Sequence, residues 1–168
     1  MTSNGIEPVA IILTHGHFDH ILGINELKEK SGAKVYALDA EKELLMDSHL
    51  NASDQIRRPC IVSADEYFHD GQEVTLAGMT FKVIATPGHT AGSCCFLFEE
   101  DKILISGDTL FEGSVGRTDL TTGSMRALDE SLKNKLMVLD DDVRVYPGHG
   151  TATTIGSEKM YNPFCNNL

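Results

Sequence analysis

Positive charge is scarce in this sequence. Its 168 residues include 14 Lys and Arg against 25 Asp and Glu, a formal net charge of −11. A phosphate backbone is bound by a basic face, so no nucleic-acid partner is expected. An anionic membrane surface is disfavoured on the same ground. No run of about 18 apolar residues occurs, so no bilayer-crossing helix and no membrane partner are expected. The start, Met1-Thr2-Ser3-Asn4-Gly5, lacks a basic stretch followed by an apolar one and does not read as a signal peptide. No C-x-x-C spacing links the four cysteines, Cys60, Cys94, Cys95 and Cys165. Free thiols in a reducing cytosol are the simplest reading, which places the chain in the cytoplasm. There is no repeat, no low-complexity tract and no linker long enough to divide the chain.

What is present fits an ordinary globule, 41% apolar and 23% charged, and residues 1–168 are expected to form one domain. Pro8 to Leu13 is a short apolar run suited to a buried strand. Apolar residues at Ile21, Leu22, Ile24 and Leu27 have helical spacing, with Gly32 as the stop. Strands are expected at 33–38, 73–77, 79–86, 93–98, 102–106 and 143–146. Helices are expected at 40–46, with Asp39 as N-cap, and at 125–139, starting at Ser124. This alternation implies mixed α/β layers. Cys94 and Cys95, adjacent on one strand, would point to opposite faces.

Histidine and aspartate recur just after strands. His15 follows the first strand, His89 follows Pro87-Gly88, Asp108 follows Gly107, and His149 follows Pro147-Gly148. Ligands of α/β sheets gather beyond the carboxyl ends of strands. The densest segment is His15-x-His17-x-Asp19-His20, four imidazole or carboxylate donors within six residues. Such donors suit zinc, iron and manganese. One tetrahedral ion cannot easily accept all four from so tight a loop, which favours two ions; the alternative is a solvated histidine loop. The Pro-Gly-His and Gly-Asp segments could each be an ordinary turn, but Pro-Gly-His occurs twice, and each copy puts a histidine on a sharp bend.

These segments together resemble the metallo-β-lactamase superfamily, and within it the single-domain glyoxalase II-like hydrolases. The matching stretches are THGHFDH at 14–20, PGHTAGS at 87–93, SGDTLF at 106–111, GRTDL at 116–120, YPGHGTATTIGSEK at 146–159 and NPF at 162–164. The resemblance implies an α/β architecture, the four-layer αββα sandwich. It implies a first metal held by His15, His17 and His89, and a second by Asp19, His20 and His149. Asp108 would bridge them. The cofactors would be two divalent ions, most often zinc, with iron or manganese as alternatives. Asp19 and Asp108 would serve catalysis as well as ligation, Asp19 holding the proton of a metal-bridging hydroxide. Hydrolysis of a small-molecule thioester such as a glutathione conjugate is the implied activity, with S-lactoylglutathione the type substrate.

A mononuclear-iron persulfide dioxygenase shares several of these motifs, but its last motif tends to read Ala-His-Asp, where this chain has Gly148-His149-Gly150. β-Lactam hydrolysis is less favoured, because GRTDL and TTIGSEK belong to the other branch. A domain that binds metal with little activity is the non-enzyme alternative. His49 and His69 lie outside every motif and are expected at the surface. Arg117 and Asp119 are expected either to face substrate or, the favoured choice, to brace their loop as an ion pair. In the resembled family several strands and a helix precede the THxHxDH loop, whereas 13 residues precede Thr14 here. The first strands of the fold are therefore expected to be missing and a sheet edge to be open, the chain being either truncated relative to its relatives or completed by self-association in a homodimer.

Overall fold

The computed structural model describes Gly5 and residues 7–166. Two sheets lie face to face, and helices cover the outer face of each. The first sheet has three parallel strands in the order β1-β2-β3: Ala10–Ile12, Lys34–Leu38 and Glu66–Phe68. The second has six strands in the order β11-β10-β7-β6-β5-β4. Its members are β4 (Glu73–Leu76), β5 (Met79–Ala85), β6 (Cys94–Phe98), β7 (Ile103–Gly107), β10 (Arg144–Pro147) and β11 (Thr153–Thr154). A small hairpin, β8 (Leu110–Phe111) with β9 (Ser114–Val115), forms a two-stranded sheet of its own and packs Leu110 into the core.

Side-chain alternation along the strands builds three apolar layers, and these define the αββα order. Val35 and Ala37 of β2 face outward, with Ile11 and Leu13, onto Ile21, Ile24 and Leu45. Those three belong to α1 (Phe18–Ile21), α2 (Ile24–Ser31) and α3 (Lys42–Leu45). Leu38 and Phe68 face inward and meet Phe81, Val83, Cys94 and Phe96 of the second sheet. Ile84, Cys95, Leu97, Leu104 and Val145 face the opposite way. They pack on Leu128 of α4 (Met125–Ser131), on Leu132 and Leu136 of the π-helical turn that continues it, and on Ile155 of α5 (Ile155–Tyr161). The period of two in a strand thus puts Cys94 in the central layer and Cys95 in the outer one. All four cysteines are free thiols. Among the described residues no helix is long and apolar enough to cross a membrane.

Several elements differ from the sequence expectation. The first helical stretch is two helices, because the chain turns at Leu22 and Gly23 before α2 begins. Asp39 does not cap a helix; it opens a 3₁₀ turn, Asp39–Glu41, and its carboxylate accepts the N–H of Ala40 at 2.8 Å. The helix starting at Ser124 does have that residue as its cap, accepting from the N–H of Ala127, but it leaves α geometry after Ser131 and ends at Leu136. α5, β3, β11 and the β8–β9 hairpin were not expected.

The strand ends set up the site. Parallel pairing of β7 with β10 places Gly107 opposite Pro147, and the N–H of Gly148 donates to the carbonyl of Gly107 at 2.8 Å. Antiparallel β5 and β6 open at Thr86, whose N–H donates to Ser93. The N–H of Cys94 donates to the carbonyl of Thr14 at 2.9 Å and ties the two sheets together beside the first strand's end.

Candidate metal centre

All seven candidate residues meet at this edge of the sandwich. His15 and His17 leave the end of β1, and Asp19 and His20 lie in α1. His89 follows β5, Asp108 follows β7 and His149 follows β10. Three sets of potential ligand atoms fall within 4.8 Å of one another: His15, His17 and His89; Asp19, His20 and His149; and His15, His20 and Asp108. The third set takes one histidine from each of the other two. Asp108 in addition lies 3.6 Å from His89 Nε2 and 3.5 Å from His149 Nε2 through its Oδ2, so one carboxylate reaches both histidine groups.

The electrostatics suit cation binding. Burial, then the neighbouring imidazoles, holds the pKa of His15 well below its ordinary value. Burial and His89 bring His17 down to about 4. Burial also lowers His89. These three rings are therefore neutral near pH 7, the form in which imidazole is a ligand. His20 goes the other way: burial opposes its charge, but the Asp108 carboxylate outweighs it and raises the pKa. Burial would raise Asp108, and the facing His20 reverses that.

The residues present fit metal ions on a direct test. His15 Nε2, His17 Nε2, His20 Nε2 and Asp108 Oδ1 are buried and have no hydrogen-bond partner. The His20–Asp108 contact, at 3.3 Å, is too poorly aligned to satisfy either atom. Buried polar atoms are normally paired, so four orphans in one cluster mark a place where cations would supply the missing partners. On the outer side, His89 Nδ1 donates to the carbonyl of Arg117 at 2.8 Å, which leaves Nε2 to face the cluster. Gly148 is required by close approach: a Cβ there would press on the Asp108 carboxylate and the His20 ring.

The cluster forms one wall of a cavity of about 530 Å³. His17, Asp19, His89, Asp108 and His149 line its polar side, and Phe18, Phe111, Val115 and Leu120 its apolar side. Arg117 stands at the rim, its guanidinium bound to both carboxylate oxygens of Asp119 at 2.7 and 2.8 Å. The Arg–carboxylate pair is present in the loop, and Arg117 lines the cavity as well. His49 and His69 belong to none of the ligand sets and do not line the cavity, each mostly exposed and paired with an aspartate, Asp54 and Asp39.

Sequence reasoning missed Glu41. It is 1% exposed, and its carboxylate accepts the N–H of Gly16 at 2.7 Å and the hydroxyl of Thr90 at 3.0 Å. Burial pushes its pKa up to about 7, against these hydrogen bonds and one from the Gly92 N–H. The signal was available: Glu41 lies three and four residues before Leu44 and Leu45, on the buried stripe, where an acid is out of place.

Residues 3–149 match the family model described as the Metallo-beta-lactamase superfamily. Among curated proteins, the probable metallo-hydrolase YqgX of Bacillus subtilis is 38% identical, over 96% of this chain and 78% of its own length. The hydroxyacylglutathione hydrolase GloC of Haemophilus influenzae is 36% identical, over 93% of this chain and 75% of its own. Among solved structures, BLEG-1, a B3 metallo-beta-lactamase, superposes with a TM-score of 0.91 at 38% identity, covering 96% of this chain and 79% of that one. TTHA1623 in a di-iron-bound form gives 0.86 at 37% identity, covering 96% and 80%.

Proposed function

The chain belongs to the metallo-beta-lactamase superfamily, a fold that binds divalent metals, and from that premise we propose that it is a metal-dependent hydrolase of small thioesters, glutathione conjugates among them. The observation that carries the reading is the pair of histidine groups sharing Asp108 on the wall of the cavity. His15, His17 and His89 would hold one divalent ion and Asp19, His20 and His149 another, zinc first and iron or manganese as alternatives. Bound cations of this kind supply Lewis acidity that polarises a carbonyl and brings water to a near-neutral pKa.

The chain's own groups do the rest. Asp108 offsets part of the cationic charge from a position facing both groups. Asp19, held by His149 Nε2 at 3.0 Å and open to the cavity, is placed to accept the proton of the attacking water. Phe18, Phe111, Val115 and Leu120 form an apolar wall against which an acyl group can lie. A thiolate leaves without a strong general acid, and the cavity needs none for this substrate class. The relative named hydroxyacylglutathione hydrolase supports the choice of thioester. Four free thiols suit a reducing compartment such as the cytoplasm.

The test is hydrolysis of S-lactoylglutathione by the chain loaded in turn with zinc, iron and manganese, with the metal content measured. Turnover with two ions per chain is expected. Hydrolysis of a cephalosporin without thioester turnover would overturn the substrate class. Oxygen consumption with glutathione persulfide would overturn the reaction class.

A further inference from the structure

The geometry points to Glu41 as a positioning residue that sets the first histidine group by fastening two ligand-bearing loops to each other. His15 and His17 come from the loop after β1, and His89 comes from the loop after β5. Glu41, from the turn after β2, touches both. Its Oε1 accepts the N–H of Gly16, the residue between the two histidines of the first loop, at 2.7 Å. Both its oxygens lie 3.0 Å from the hydroxyl of Thr90, the residue that follows His89. The N–H of Gly92, two residues further on, also donates to it. Gly92 is a close approach as well, since a Cβ there would collide with the Glu41 carboxylate and backbone N–H. Thr90 is fixed in turn by Ser93, whose hydroxyl lies 2.8 Å from its own and accepts its N–H at 3.0 Å.

Burial disfavours a carboxylate at this position, even one that accepts from the donors around it. Glu41 is essentially fully buried and forms no ion pair with a Lys or Arg among the described residues. A buried charge without a counter-ion is costly. The carboxyl group does have a use beside a cluster of metal ligands, because a ligand's supporting groups orient it and tune its affinity. An acceptor serving two N–H groups and a hydroxyl must also lack donors of its own. A carboxylate meets that condition, whereas a glutamine amide would turn its NH₂ toward one of the N–H donors.

This inference rests on the metal reading of the site, so its test measures metal binding and not turnover. Zinc affinities of the wild-type chain, Glu41→Gln and Thr90→Val are measured by chelator competition, with cobalt absorption spectra as a second readout and thermal unfolding of the metal-free chains as a control. His149→Ala, which keeps the first group whole, identifies which binding step belongs to His15, His17 and His89. Glu41→Gln should weaken that step by roughly 10–100-fold and alter the cobalt spectrum, while the other step stays within about twofold whatever the change in unfolding of the metal-free chain. Thr90→Val should weaken the same step by a smaller factor, and it tests the contact should Glu41→Gln fail to fold. Unchanged affinity of the first step in the folded variants overturns the inference. So does equal weakening of both steps with earlier unfolding, the mark of a merely structural acid. A wild-type chain that binds no zinc or cobalt overturns the metal reading itself.

Discussion

At the scale of single residues, Asp108 and His69 make the sharpest contrast. Asp108 reaches His20, His89 and His149, and its Oδ1 is a buried orphan. Asp108→Ala should reduce the metal content below two ions and lower thioester turnover by more than about 100-fold, beyond the loss typical of outer supporting groups. His69 makes an exposed pair with Asp39, and such pairs contribute little. His69→Ala should leave turnover within about twofold; equal losses in the two variants would place the site elsewhere. The buried histidines also predict a pH response of the metal-free chain. Folded His17 titrates at about 4, and His15 and His89 are shifted in the same direction. An unfolded histidine titrates near 6.5. Between these values the unfolded chain binds more protons, so this contribution to stability is complete above about pH 6.5 and is lost as pH falls toward about 4. His20, raised by Asp108, and Glu41, pushed up to about 7 by burial, oppose the trend as two groups against three. The urea midpoint of the chelator-treated chain should fall between about pH 7 and about pH 5, and a rising midpoint would contradict the assignment.

At the scale of elements, the loops after β7 and β10 are fastened by the Gly148–Gly107 hydrogen bond, and side-chain bulk at Gly148 has nowhere to go. Gly148→Ala should displace Asp108 and His20 and reduce metal affinity by roughly 10–100-fold. Gly150, two residues on, has φ +83° and open space around its Cβ position. Gly150→Ala should keep its metal and lose about 1 kcal/mol of stability to backbone strain, read by thermal unfolding. Loops of this kind were legible in the sequence because their signals are local: a donor cluster in six residues, and histidine after Pro-Gly. The long strands were legible for a related reason, since β6 is a continuous apolar run and β5 alternates apolar residues with Thr80 and Lys82, both bounded by turns. What escaped was short or sparsely apolar. β3 has three residues, β11 and each strand of the β8–β9 hairpin have two, and α5 buries only Ile155 and Glu158. Such elements exist through tertiary pairing and not through their own periodicity. Glu41 escaped because its partners lie 25 and 49 residues away, and no local pattern reports them.

At the scale of the whole molecule, the strand order leaves an edge to account for. β1 pairs with β2 on one side, and no strand pairs with its other side among the described residues. Unpaired edges present free N–H and C=O groups that recruit other strands. The surroundings of this edge are apolar. Val9 is 61% exposed and Met79 56%. A groove beside them, lined by Pro8, Val9, Ile12, Leu76, Phe81 and Phe98, runs along the border between the two sheets. An exposed apolar trough beside an edge that is unpaired among the described residues is a surface that seeks cover. A second copy of the chain offers a matching edge, and a two-fold arrangement of β1 strands would run antiparallel and close on itself. None of the seven cluster residues is in this groove, so association there would leave the metal centre intact. Light scattering over a concentration series should therefore show a dimer. Val9→Lys, which adds charge at the edge, should shift it toward monomer without changing the metal content. A monomer at every concentration, with the same activity per chain, would show that the edge needs no partner.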